Sequence, residues 1–235
     1  MNNKLEKQIK LSANTTPYDI LGIFLTLATE HGTELNVGME NLAERGCMWI
    51  VSKTKLHFNN LTKDGCEVTA TTWPTAPGRI RCNRYYTLSD EKGIIVEGKS
   101  EWAILETATG RPKKLDSLYP NEVELLTDVV CDEPFLRLNG DFSNSESFKE
   151  YVVSSDDIDA NNHMNNVAYV RAVLQHFPTE LINDKKVTDL EIQYKAQCYE
   201  GEKLLFKFIE ADKGYEIGII KEDGTTAVVL HITVE

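Results

Sequence analysis

The sequence predicts an α+β fold of two tandem units, each a long helix wrapped by a curved antiparallel sheet, with the two sheets joined edge to edge into one. Three observations predict it. Helical periodicity appears in each half of the 235-residue chain, and in both halves β-rich segments separated by turn residues follow it. The third is a repeat. Lys55-Leu-His-Phe-Asn-Asn-Leu-Thr-Lys-Asp-Gly65 lies over Glu191-Ile-Gln-Tyr-Lys-Ala-Gln-Cys-Tyr-Glu-Gly201 at a constant offset of 136 residues, and both copies set an apolar-polar-aromatic strand end before an acidic-Gly turn. A sheet curved round one helix has an exposed edge, and joining two such edges removes it.

In chain order, Ile9 to Leu11 suits a short strand, ended by the polar stretch Ser12 to Pro17. Ile20, Ile23, Phe24, Leu27 and Ala28 then recur at three- and four-residue steps. They predict a buried helix of about three to four turns, entered at Pro17 or Asp19 and stopped by Gly32. Val37 to Gly46 reads as a shorter helix closed by its glycine. Met48 to Ser52, Lys55 to Phe58, Cys66 to Trp73, Arg79 to Leu88, Gly93 to Glu97 and Lys99 to Leu105 are β-rich and aromatic. Turn signals at Asp64-Gly65, Pro77-Gly78 and Glu91-Lys92-Gly93 divide them. The second half repeats the plan: a strand at Phe148 to Val153, a helix at Asn166 to His176 stopped by Pro178, and strands at Val187 to Tyr194, Lys203 to Ala211, Tyr215 to Lys221 and Thr226 to Glu235. The organisation read from this is a first unit over 1–115, a crossover linker over 116–146 that carries Pro120, Pro134 and the acidic stretch Glu122 to Glu133, and a second unit over 147–235.

Composition narrows the function. With 41% apolar residues the chain can bury a core, and disorder is excluded as the main state. A net charge of −12 repels phosphate backbones and argues against a nucleic-acid partner. The longest apolar stretch, Ile20 to Ala28, is far short of the roughly 20 residues a membrane crossing needs, and Met1 to Lys7 does not resemble a secretory signal. The expected address is the cytosol. Five cysteines at 47, 66, 82, 131 and 198 form no Cys-x-x-Cys pair and read as reduced thiols. The five histidines make no pattern of metal type, so neither a metal nor another cofactor is expected.

The segment richest in chemistry is Ser155-Asp-Asp-Ile-Asp159-Ala-Asn161-Asn162-His163-Met-Asn165-Asn166-Val-Ala-Tyr169, just before the second helix. Asp159, Asn161 and His163 alternate, so in an extended segment they would share a face. Asp159 supplies a nucleophile or a base, His163 relays a proton near neutrality, and Asn161 orients a partner. A helix start offers unpaired N–H groups and a positive dipole end, which favours an oxygen that becomes negative; the backbone amides of Met164 and Asn165 are the expected oxyanion donors. The same residue types are also what caps and solvated turns use, and Asn165 or Asn166 is expected as the cap.

The run Asp157-Ile-Asp159-Ala-Asn161-Asn162-His163-Met-Asn165-Asn166-Val167-Ala-Tyr169 resembles the Asp-x-Asn-x-His-x-Asn-Asn-Val-x-Tyr signature of the acyl-acyl carrier protein thioesterases of plants and bacteria. Trp49-Ile-Val-Ser-Lys53, Thr72-Trp73-Pro74, Ser100-Glu101-Trp102 and Thr109-Gly-Arg111-Pro112 are similar to blocks of that family in the same order, so the resemblance covers about the whole chain. It implies a tandem hotdog fold and hydrolysis of a fatty acyl thioester of acyl carrier protein, with Asp159, Asn161 and His163 at the motif positions. Plant members carry a Glu-Cys pair where this chain has Gln197-Cys198, so the cysteine matches and the carboxylate does not. Two routes stay open: Asp159 attacks or holds a water, or Cys198 acts as a nucleophile with His163.

An acyl chain needs an apolar slot, and the first unit offers Phe24, Leu27, Trp49 and Ile50. Acyl carrier proteins are acidic, so a basic patch must offset the net charge; Arg79, Arg81 and Arg84 form one candidate cluster and Arg111, Lys113 and Lys114 another. A coenzyme A thioesterase of the same fold is the nearest rival, and a non-catalytic acyl-binding module is the rival from another class. A monomer and a homodimer are both compatible with two units in one chain.

Overall fold

Helix α1 (Pro17–Glu34) forms because Thr16 and Asp19 satisfy its first amides reciprocally: the Thr16 hydroxyl accepts the Asp19 N–H at 3.3 Å, and the Asp19 carboxylate accepts the Thr16 N–H at 2.8 Å. The computed structural model describes residues 3–59, 65–116, 118–120, 122–182 and 186–235, so Asn60 to Asp64 of the first repeat copy lie outside it. The helix passes through Gly32, where a stop was expected. What ends it is Asn36, in the left-handed region at φ 58°: the Asn36 amide bonds the Thr33 carbonyl and the Val37 amide the Gly32 carbonyl. This closing motif needs a residue that tolerates positive φ, and asparagine serves where glycine was the expected signal. A short helix α2 (Met39–Ala43) follows.

The chain divides into two compact units, Met1–Glu133 and Pro134–Glu235. In the first, β1 (Leu5–Lys10), β2 (Cys47–Phe58), β3 (Glu67–Pro74), β4 (Cys82–Asp90) and β5 (Gly93–Glu106) lie in the order β1-β3-β4-β5-β2, with every pairing antiparallel. Two long strands replace four short ones read from the sequence. The break expected after Ser52 is a register shift between Val51 and Lys53 within β2. The break expected at Gly98 is a close approach: a Cβ there would lie 2.8 Å from Leu56 Cδ2 and 3.2 Å from Phe24 Cε2, so the glycine lets α1 settle onto an unbroken β5. Phe24 accordingly stacks on Tyr86 of β4 at 4.8 Å between ring centroids.

The second unit repeats the plan. It holds β6 (Ser147–Val152), a single 3₁₀ turn (Ser155–Asp157), α3 (Asn166–His176), α4 (Thr179–Ile182), β7 (Val187–Tyr194), β8 (Lys203–Ala211), β9 (Gly214–Lys221) and β10 (Thr226–Val234). Their sheet order is β6-β8-β9-β10-β7, the same succession as in the first unit, again antiparallel throughout. The repeat seen at an offset of 136 residues therefore overlays β2 and β7, the first strand after the short helix in each unit. Phe177, which caps α3, meets Phe208 of β8 and Tyr215 of β9 edge-on at 5.5 and 5.2 Å. Between β5 and β6 the described residues form no helix or strand beyond a one-residue bridge at Pro112, although Trp73 donates to the Asp128 carbonyl and Lys55 pairs with Glu133.

Candidate active site

The segment before α3 folds as a tight loop, not as the extended run expected. Its two sides meet in a bridge between Ile158 and Met164; the Asp159 amide donates to the His163 carbonyl at 2.9 Å and the Asn162 amide to the Asp159 carbonyl at 3.0 Å. Asn162 takes φ 62°, a conformation open to asparagine. The cause is local. The Asp159 side chain accepts the Asn161 amide at 2.8 Å and the His163 amide at 3.5 Å, offering the backbone a turn instead of a strand.

This turn brings Asp159 and His163 together: Oδ1 lies 3.8 Å from Nδ1, an ion pair whenever the imidazole is protonated. Their side chains stay 29% and 20% exposed, so the pair is open to a reactant. Asp159 Oδ2 makes no hydrogen bond among the described residues and is the carboxylate oxygen left for one. Asn161 contributes its backbone to the turn, and the residue is exposed. Tyr199 stands beside His163 with ring centroids 5.9 Å apart, and its hydroxyl donates to the Gln197 side chain at 3.3 Å.

The expected oxyanion donors are both spent. Met164 N–H donates to the Cys198 carbonyl at 2.8 Å and Asn165 N–H to the Asp157 carbonyl at 2.7 Å, because these bonds hold the loop to its surroundings. Asn165 is the N-cap, its side chain accepting the Val167 amide at 2.8 Å. The first-turn amide without a partner among the described residues is that of Asn166.

Cys198 is fully buried. Burial pushes its thiol above the ordinary value, against a hydrogen bond from Tyr169 and the nearby Lys221 cation that act the other way. Its amide donates to the Tyr169 hydroxyl at 2.9 Å, so the residue ties β7's end to α3.

Phe24 and Leu27 lie on the buried side of α1. Trp49 and Ile50 are consecutive in β2 and so point to opposite faces of the sheet. Trp49 donates to the Val37 carbonyl at 2.7 Å and meets Trp102 edge-on, which leaves Ile50 outside any slot shared with it. Among the basic residues, Arg79, Arg81, Arg111, Lys113 and Lys114 are exposed, and Arg81 pairs with Glu101 at 2.7 Å. Arg84 was expected with them and is instead buried, bonded to His31 Nδ1 at 3.0 Å and to Thr72 at 3.2 Å. Strand parity explains it: Arg84 pairs with Ser100 on the face that carries α1.

Sequence reading missed the residues that hold the loop. Asp157 accepts the amide and hydroxyl of Ser154, the hydroxyl of Tyr151 and the guanidinium of Arg171. The Ser154-x-x-Asp157 spacing was the available signal, since a carboxylate three residues on can reach back to the cap amide.

A helix laid on an antiparallel sheet, twice in tandem, with an Asp–His loop leading into the second helix, defines the class as a double-hotdog protein. The model of the acyl-ACP thioesterase N-terminal domain matches residues 7–120, and that of the acyl-ACP thioesterase C-terminal domain matches 141–230. The chain belongs to the acyl-ACP thioesterase family. An acyl-ACP thioesterase structure from Bacteroides thetaiotaomicron superposes with a TM-score of 0.90 at 20% identity, covering 99% of this chain and 98% of that one. The 12:0-ACP thioesterase of Umbellularia californica superposes with a TM-score of 0.81 at 16% identity, covering 100% and 98%. Both establish the fold. A chloroplastic acyl-[acyl-carrier-protein] hydrolase of Cuphea viscosissima is 25% identical over 165 residues, which is 67% of this chain and 40% of that protein. The chain thus spans about two fifths of the length of that curated relative. No helix among the described residues is long and apolar enough to cross a membrane.

Proposed function

We propose that the chain hydrolyses the thioester of fatty acyl-acyl carrier protein, releasing a fatty acid and the carrier with its pantetheine thiol. The observation that carries this reading is the Asp159–His163 pair, 3.8 Å apart and solvent-accessible on the loop before α3, in a chain matched by both family models. Asp159 Oδ2 holds a water and takes its proton as the water oxygen adds to the thioester carbon. The carbonyl oxygen turns negative, and the amide proposed to stabilise it is that of Asn166, open at the start of α3. The C–S bond then breaks, and the proton that Asp159 took from the water passes to His163, which delivers it to the departing sulfur and leaves both side chains as they began.

Gln197 cannot accept a proton as a carboxylate does, so Asp159 is the base in this loop. The acyl chain is assigned to the side of the first sheet that carries α1, beside Phe24, Leu27 and Trp49. For the acidic carrier, Arg79, Arg81, Arg111, Lys113 and Lys114 are the proposed contacts. The Leu115 amide bonds the Arg79 carbonyl at 2.9 Å, which brings the two chain segments together and supports reading the two clusters as one exposed basic patch. Such a patch offsets the repulsion set up by a net charge of −12.

The test is product analysis by mass spectrometry, with a panel of fatty acyl chains presented on carrier protein and on coenzyme A at matched concentrations. Free fatty acid released faster from the carrier is expected. Faster release from coenzyme A would transfer the reading to that donor, and binding of acyl carrier with no acid released would make the chain an acyl-binding module.

A further inference from the structure

We infer that Asp157 is a positioning residue for this reaction, acting through the loop that carries Asp159 and His163; the inference rests on the function proposed above. Asp157 keeps only 1% of its surface accessible. A buried carboxylate persists where hydrogen bonds replace its water, and here four do. Oδ2 accepts the Ser154 amide and hydroxyl, each at 2.9 Å, and the Tyr151 hydroxyl at 2.7 Å; Oδ1 accepts Arg171 Nη2 at 2.7 Å. Burial would raise its pKa, and the bonds from Ser154, Tyr151 and Arg171 outweigh it and hold the carboxyl below the ordinary value.

These donors come from three places in the second unit. Tyr151 is on β6, Ser154 precedes the 3₁₀ turn, and Arg171 is in the second turn of α3. They converge on the root of the loop. The Asp157 carbonyl itself accepts the Asn165 amide, the neighbouring Ile158 bridges to Met164, and the Asp159 amide bonds the His163 carbonyl. Strand and helix are thus tied to one carboxylate two residues from Asp159, while the tip, Ala160 to Asn162, is exposed. Asp157 touches no reactant in this arrangement. Its side chain sets where the Asp159 and His163 side chains stand, and displacements of about 1 Å at a reacting group cost on the order of a hundredfold in rate.

The experiment uses the full chain and the variants Asp157→Asn, Tyr151→Phe, Arg171→Lys and Arg171→Ala. It reads kcat and KM on acyl-acyl carrier protein, melting temperature, and the NMR ring signals of His163. Asp157→Asn, which replaces one acceptor oxygen with an amide NH₂ that faces the same donors, is expected to lower kcat by about thirtyfold or more with KM within about threefold, and to shift the His163 ring signals. Tyr151→Phe removes one bond of four and is expected to lower kcat by a smaller factor. Arg171→Lys keeps a cation within reach and is expected to retain more kcat than Arg171→Ala. A folded Asp157→Asn protein with wild-type kcat and wild-type His163 signals, whatever its melting temperature, overturns the inference. Should that variant not fold, unchanged kcat and His163 signals in both Tyr151→Phe and Arg171→Ala overturn it instead. If the wild type releases no acid, the proposed function fails, while the His163 signals still decide the positioning role.

Discussion

A cysteine that attacks a thioester must reach the thiolate state near working pH, which requires a positive, partly open setting. Cys198 sits instead in full burial that holds its thiol protonated, with its backbone used to anchor Met164 and Tyr169. Cys198→Ser is therefore expected to keep kcat within about threefold of wild type, since the group adds little to acid–base chemistry. A loss as large as that of a His163 variant, measured by thiol release from acyl-acyl carrier protein, would make the sulfur the nucleophile. At this scale Asp159 and His163 were legible because they lie four residues apart and need only one turn to meet. The oxyanion donors and Arg84 were misread for one reason: which amide stays open and which face of β4 an arginine takes depend on pairing partners far along the chain.

Elements were legible where periodicity was strong and misjudged where a single glycine was taken as a stop. Gly32 and Gly98 sit inside α1 and β5, whereas Asn36 ends the helix. Glycine marks either a conformational need or a close approach, and the sequence does not separate them. Gly218, in the middle of β9, is of the second kind: a Cβ there would run into the ring of Phe142, which closes over Val229 and Leu138. Gly218→Ala should therefore destabilise the second unit by about 1–3 kcal/mol through overpacking. The check is the urea midpoint of Gly218→Ala with and without Phe142→Ala. Partial recovery in the double variant is expected, and an unperturbed single variant would contradict the assignment.

Over the whole molecule the duplicated plan could be read in advance, because one helix-then-strands succession recurs and one stretch of it, Lys55 to Gly65 over Glu191 to Gly201, aligns without a gap. The structure adds what spacing alone cannot: both sheets follow the same strand order, so the halves share a topology as well as a pattern. The two halves differ at the helix starts: the carboxylate–imidazole loop precedes α3, while the start of α1 carries a Thr16–Asp19 capping box over Pro17. The proposed function puts the chemistry in the second unit and the apolar slot in the first. The measurement that bears most directly on this division is the turnover of Asp159→Asn and His163→Ala on a fatty acyl-acyl carrier protein, followed by thiol release alongside wild type. Each is expected to fall by about a hundredfold or more, the usual loss for an acid–base group; wild-type rates in both would contradict the account.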